Sequence, residues 1–252
     1  MQYDLRYGAA VQHRYAGTFL FVVSHMRSYS SLLCHILGSH PEISGYSEAH
    51  QSYLGRNDLD RLARTVREHT GEAALNRFVL DKVLHNHAEI GPDVLRRPDV
   101  RCVFLLRKAE DTIASILNMA RALEHVGRYS DPQQVVVYYA ERLAQMARYG
   151  SQVGGRALFV ESERLLDDTD AVLARLTQWL ALGEPLSEHY RTFPYTGMPG
   201  HGDPSPHIRA GKVVKSNPER HRDYVSIPIP DDVIARGNAA HAACHAALSH
   251  LR

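Results

Sequence analysis

The segment that most limits the fold is Thr18–Ser24 (TFLFVVS), where apolar, β-forming residues follow one another without alternation. A strand with one wet face alternates apolar and polar residues, so a continuous run is a strand buried on both faces. Strands of that kind belong to parallel sheets covered by helices on each side. Next, Ser30–Leu37 sets Leu32, Leu33, Ile36 and Leu37 at helical spacing. Strand and helix are therefore joined by a turn of a few residues.

The alternation continues. Arg77–Leu80, Val100–Leu106 and Ala157–Val160 read as further strands. Leu59–His69 reads as a polar surface helix and Ala109–Met119 as the helix after the third strand. Val135–Tyr149 is a long amphipathic helix that turns Tyr138, Leu143, Met146 and Tyr149 inward. Asp170–Leu182 is a helix closed by Gly183 and Pro185. Tyr195–Pro206 is dense in Gly and Pro and predicts a lid loop near 195–215, and Asp231–Leu251 predicts a last helix, begun at Pro230 and Asp231. No repeat divides the chain. The expectation is one α/β domain over residues 1–252, with three layers, a central parallel sheet flanked by helices, and ligands at the carboxyl ends of its strands.

Composition excludes several functions. A net charge of +1 argues against a nucleic-acid surface and leaves room for a local basic pocket. Cys34, Cys102 and Cys244 are odd in number and lack C-x-x-C spacing, which predicts a reducing compartment and no zinc knuckle. The early apolar run Phe19–Val23 is too short for a transmembrane span and no leader pattern precedes it, so a cytoplasmic protein is expected. Sixteen histidines raise the question of a metal. His85 and His87 alternate, and His241 and His245 lie one helical turn apart around Cys244, yet spacing places no third ligand. No metal is expected.

The turn His25-Met26-Arg27-Ser28-Tyr29-Ser30-Ser31 follows the first strand and opens the first helix. Such a junction aims backbone N–H groups and a helix N-terminus at one point, where an anion fits. Ser30 and Ser31 add hydroxyl donors and Arg27 a fixed charge. The G-x-x-x-x-G-K-[ST] pattern is absent, and with it the lysine that an ATP or GTP loop places on the terminal phosphates.

Over Phe19–Glu48 the chain resembles the start of the PAPS-dependent sulfotransferases (PAPS, 3′-phosphoadenosine-5′-phosphosulfate), closest in pattern to the bacterial and tyrosylprotein-type branch. Their phosphosulfate loop reads P-R-S-G-[ST]-T-L-L, followed by a helix, an H-P dipeptide and a G-x-x-E turn. Arg27, Ser28, Ser30, Leu32, Leu33, His40, Pro41, Gly45 and Glu48 fall in that register, with Met26 in place of the proline and Tyr29 in place of the glycine. The resemblance implies a P-loop-like fold, PAPS as sulfuryl donor and adenosine 3′,5′-bisphosphate as product. It implies that Arg27, Ser28, Tyr29, Ser30 and Ser31 hold the phosphosulfate and that Arg107 and Ser115 hold the 3′-phosphate. Arg209 and Lys215, in the basic run Arg209–Asn217, match the segment that folds over the nucleotide. Ser162 stands where many relatives carry a tyrosine, and no role is carried onto it.

Sulfuryl transfer, like phosphoryl transfer, passes through a loose in-line transition state, so it needs positioning, cations near the leaving oxygen and a base for the acceptor proton. Glu48 is the base that the resemblance implies, and His50 is its rival, two residues on. Lys82, after the apolar run FVLD, is the electrophilic lysine, and Arg27 serves both binding and charge stabilisation. The acceptor is a small molecule, glycan or lipid that offers a hydroxyl or amine, and a peptide tyrosine fits as well. Two other readings stand beside this one: a P-loop kinase using ATP and Mg²⁺, and a non-catalytic relative whose loop Tyr29 blocks.

Overall fold

From Phe19 to Val23 every side chain of the first strand is closed to solvent, as its unbroken apolar run requires. The computed structural model describes residues 15–124, 127–198, 203, 206–215 and 227–251. Five strands, β1 (Thr18–Val23), β2 (Ile43–Ser44), β3 (Phe78–Val83), β4 (Val100–Leu106) and β5 (Ala157–Glu161), form one sheet in the order β2-β3-β1-β4-β5. All four pairings are parallel, and Phe21 of β1 faces Asp81 of β3 on one side and Cys102 of β4 on the other. The chain therefore crosses over β1 between β3 and β4. That crossing creates a crevice at the carboxyl ends of the strands, the usual ligand position in open α/β sheets.

Alternate residues of β1 feed two cores. Phe19, Phe21 and Val23 pack with α2 (Arg56–Thr70), α3 (Pro92–Leu95), α4 (Ala109–Ala122), α5 (Pro132–Val153) and α8 (Asp231–Leu248). Leu20 and Val22 pack with α1 (Ser30–Gly38), α6 (Arg164–Asp167) and α7 (Thr169–Leu180). These are the three layers expected of the sequence. Among the described residues no helix is long and apolar enough to cross a membrane.

The departures are local. β2, α3 and α6 have two to four residues each, too short for a periodic signal. α2 is amphipathic rather than polar throughout, because Leu59, Leu62, Ala63 and Val66 form a buried stripe. β3 runs on to Val83, past the expected end at Leu80, since Asp81 and Lys82 are buried within it. α7 stops at Leu180, where Ala181 turns left-handed at φ 51°, two residues before its expected end. In the expected lid, Pro206–Ala210 forms a short 3₁₀ turn. Positions 199–202 and 204–205 of that stretch, and Ser216 and Asn217 of the basic run, lie outside the described residues.

α5 holds the strand ends in place. The Tyr138 hydroxyl accepts from the Met26 N–H at 2.8 Å and donates to the Leu84 carbonyl at 2.9 Å. The Tyr139 hydroxyl donates to the Arg107 carbonyl at 2.6 Å. Arg142, wholly buried, donates to the Ser24 carbonyl at 2.6 Å, to the Val83 carbonyl and to the Gln145 side chain. One helix thus grips the carboxyl ends of β1, β3 and β4. Burial lowers the pKa of Arg142 from the ordinary arginine value, and the carbonyl dipoles replace the water that its charge has lost. Arg142→Met keeps the length and removes the donors, leaving the buried Ser24 carbonyl unpaired and the Val83 carbonyl with the Ser24 N–H alone. We expect it to lower unfolding free energy by about 3 kcal/mol, read as an earlier urea midpoint. A midpoint equal to that of the wild type would show that these bonds do not hold the strand ends.

Candidate active site

Two left-handed residues shape the turn between β1 and α1: Arg27 at φ 62° and Tyr29 at φ 63°. Glycine takes such a backbone freely, whereas a side chain there costs about 1–2 kcal/mol. Tyr29 recovers part of that through its ring, which lies 4.5 Å beneath the Arg107 guanidinium. Ser28 closes the turn by donating to the His25 carbonyl at 2.7 Å, and Ser24 donates to the Leu105 carbonyl at 2.6 Å. The His25 ring accepts from the Arg107 N–H at 3.1 Å through Nε2 and lies 2.9 Å from the Met26 carbonyl through Nδ1. Burial pushes its pKa down to about 3, so the ring is neutral and its one proton sits on Nδ1. The loop is thereby fastened to the end of β4.

An anion already rests in this loop, and it belongs to the chain. Arg27 donates through Nε to Ser115 Oγ at 2.9 Å and through Nη1 to Asp203 Oδ1 at 2.8 Å. The Asp203 N–H donates to Ser31 Oγ at 3.0 Å, and Lys82 Nζ reaches the same oxygen at 3.1 Å. The lysine missing from the loop's own sequence therefore arrives from β3. Arg107 donates through Nη1 to the Arg27 carbonyl at 2.8 Å, while its buried Nε has no hydrogen-bond partner among the described residues. An unmet guanidinium N–H in a buried setting is costly until an acceptor arrives. Arg107 and Ser115, expected to grip one phosphate, both contact Arg27 here. Ser30 and Ser31 are buried at the start of α1.

Glu48 approaches from the other side. Its segment crosses β3 at Gly45, whose φ is 104° and where a Cβ would lie 2.5 Å from the Leu80 carbonyl oxygen, so only glycine fits. Inside β3, Asp81 accepts from the Ala49 N–H at 2.8 Å and from the Tyr53 hydroxyl, anchoring the residue between Glu48 and His50. Burial pushes the Asp81 pKa up to about 7, against the pull of those donors. Glu48 is 5% exposed and places Oε2 4.0 Å from Lys82 Nζ. Its Oε1 lies 3.6 Å from His50 Nδ1 and 3.6 Å from His85 Nε2, too far for hydrogen bonds, and has no hydrogen-bond partner among the described residues. His50 is itself left-handed at φ 50°. Burial pulls the pKa of His85 below the ordinary histidine value, and the Glu48 charge opposes that shift.

Arg27, Ser28, Tyr29, Ser30, Ser31, Lys82, Glu48, His50, Arg107 and Ser115 are thus joined by a chain of contacts around the ends of β1, β3 and β4. Arg209 and Lys215 are both exposed; Arg209 donates to the Gly197 carbonyl at 3.2 Å. Their segment is docked by the Tyr190 N–H on the Gly211 carbonyl at 2.9 Å. Ser162 is buried after β5, and its N–H donates to the Leu106 carbonyl at 2.8 Å. His245 pairs with Glu161 at 3.1 Å, away from the loop. Sequence reasoning gave no role to Asp81 or Asp203 and set His85 beside His87 rather than Glu48. Asp81 offered one signal, a lone acid inside an apolar strand.

No family model and no curated protein matches the sequence. Solved structures do match. A sulfotransferase domain of the Synechococcus PCC 7002 olefin synthase superposes with a TM-score of 0.61 at 17% identity, covering 92% of this chain and 95% of that one. A sulfotransferase domain from the curacin biosynthetic pathway gives 0.54 at 16% identity, covering 95% and 100%. A sulfotransferase from Alicyclobacillus acidocaldarius gives 0.52 at 14% identity, covering 94% and 98%. Across nearly its whole length, then, this chain has the sulfotransferase fold.

Proposed function

We propose that the chain is a single-domain sulfotransferase that moves a sulfuryl group from PAPS to a hydroxyl or amine of a small-molecule, glycan or lipid acceptor. The observation that carries this reading is the pairing of Glu48 with Lys82 beside an anion loop that already holds a carboxylate on Arg27. The donor, when bound, supplies an activated sulfuryl group on a phosphate leaving group. Arg27, Ser28, Ser30, Ser31 and the backbone of Tyr29 bind its phosphosulfate, and Lys82 neutralises charge that builds on the leaving oxygen. Arg107, through its unmet Nε, and Ser115 take the 3′-phosphate, with Arg209 and Lys215 closing over the nucleotide. Glu48 removes the acceptor proton at Oε1, with His50 beside it as the rival base. The fold and the lysine supplied by β3, outside the loop, favour this reading over an ATP-dependent kinase. Buried free thiols at Cys34, Cys102 and Cys244 fit a reducing, cytoplasmic compartment.

Calorimetric titration tests the donor class. Adenosine 3′,5′-bisphosphate should bind without metal and ATP with Mg²⁺ should not; binding of ATP alone would overturn the reading, and binding of neither would favour a non-catalytic protein. Arg27→Ala should cut transfer of labelled sulfate from PAPS by about 100-fold or more, the scale of losing one charge-stabilising donor. Transfer within a few-fold of wild type would remove Arg27 from the site. Glu48→Gln should lower kcat by about 100-fold while nucleotide affinity stays within a few-fold, and a parallel loss of both would assign Glu48 to binding instead. Asp203→Ala should tighten binding of adenosine 3′,5′-bisphosphate, because its carboxylate and the 5′-phosphate contend for Arg27. Weaker binding in that variant would make Asp203 a support of the loop rather than a competitor.

A further inference from the structure

We infer that Glu48, His50 and His85 form a site for a divalent zinc-like cation on the acceptor side of the crevice. Among the described residues these are the three metal-capable groups whose ligand atoms all lie within 4.8 Å of one another. Glu48 Oε1 stands 3.6 Å from a nitrogen of each histidine. Ligands held about 2.0–2.1 Å from a tetrahedral zinc ion sit roughly 3.3 Å apart; both carboxylate–imidazole distances are close to that, and the two imidazole nitrogens, within 4.8 Å of each other, would draw together on the ion.

The second observation is the state of Oε1. The carboxylate is 5% exposed, yet this oxygen has no hydrogen-bond partner among the described residues. A buried carboxylate oxygen left without a donor carries a desolvation penalty that a cation would remove. Lys82 does not fill that role, because it approaches Oε2 at 4.0 Å and is engaged with Ser31. The two carboxylate oxygens therefore face different partners, an ammonium on one side and two imidazoles on the other.

Donor chemistry selects the ion. Two imidazoles and one carboxylate suit zinc, whereas Mg²⁺ prefers an oxygen-rich octahedron and holds its water. His85 is oriented by stacking on His87 at 5.4 Å between centroids and an interplanar angle of 11°. The nearby positive charge of Lys82 moderates affinity. Such a site would be filled and emptied as zinc concentration changes. Zinc bound there would take the oxygen assigned above as the base, so occupancy would silence transfer. That consequence rests on the proposed function; the binding itself does not.

The test is titration of the full chain with ZnCl₂ alone, no nucleotide present, alongside Co²⁺ spectroscopy. His241→Ala combined with His245→Ala serves as the background, removing the other adjacent histidine pair. In that background zinc should bind with one-to-one stoichiometry, Mg²⁺ should not compete, and Co²⁺ should give the intense visible bands of tetrahedral coordination. His85→Ala and the exposed-site variant His50→Ala should each weaken zinc binding by about 10–100-fold, with far-ultraviolet circular dichroism unchanged. Unaltered affinity in His50→Ala, which removes a half-exposed side chain and should fold, would overturn the site. So would zinc binding abolished in the His241/His245 background. Because the readout needs no PAPS, failure here leaves the sulfotransferase reading standing, and failure to bind adenosine 3′,5′-bisphosphate leaves the zinc titration interpretable.

Discussion

Everything at the carboxyl edge of this sheet depends on one buried cation. Among the described residues Arg142 has no carboxylate in bonding contact; its charge is met by the carbonyls that end β1 and β3 and by Gln145. The Val83 carbonyl keeps one bond from the Ser24 N–H, but the Ser24 carbonyl lies where its strand has stopped, and without Arg142 it would be buried and unpaired. The arginine therefore solves the problem of terminating two adjacent strands in a dry interior. Tyr138 and Tyr139, one turn before it on α5, do the same for Leu84 and Arg107. The anion loop begins one residue after Ser24, and Lys82 precedes Val83. Both sides of the crevice hang from the same helix.

That arrangement separates two electrostatic tasks. On one side Arg27, Arg107 and Lys82 gather positive charge over a helix N-terminus, and the chain's own Asp203 answers it. On the other, Glu48 is a nearly buried acid held over Asp81, which is held high in pKa by the same burial. Lys82 lies between the two and touches both, through Ser31 and Glu48. A change on either side is felt on the other through this lysine, over distances at which a low-dielectric interior screens little.

The sequence made legible what depends on periodicity and little of what depends on long-range pairing. β1, β4, β5, α1 and α5 announced themselves through apolar runs and spacing, α4 by its place after a strand and α8 by its start signal, and the parallel three-layer order followed. β3 was cut short because Asp81 and Lys82 look like a surface end, yet both are buried, one by Tyr53 and Ala49, the other between Ser31 and Glu48. Arg142 reads locally as a polar residue on an amphipathic helix; only the folded chain shows which carbonyls need it. The anion loop was readable because its parts are consecutive. His85 was not, since the Glu48 it faces comes from a separate crossover, and alternation with His87 pointed to the wrong grouping. Asp203 sits in a Gly/Pro-rich stretch whose composition predicts a loop but not what the loop touches.

The left-handed Tyr29 has a consequence for how substitutions in this pocket combine. In a glycine-bearing loop the backbone shape is independent of its neighbours. Here it leans on the stacked guanidinium of Arg107, which also braces the Arg27 carbonyl. The shape of the loop and its fastening to β4 therefore rest on the same pair of side chains. Exchanging Arg107 alone would remove the ring contact and the brace on the Arg27 carbonyl together, whereas the same exchange beside a glycine at 29 would cost the brace only. The two positions are epistatic, and drift along a lineage would have to move them as a pair.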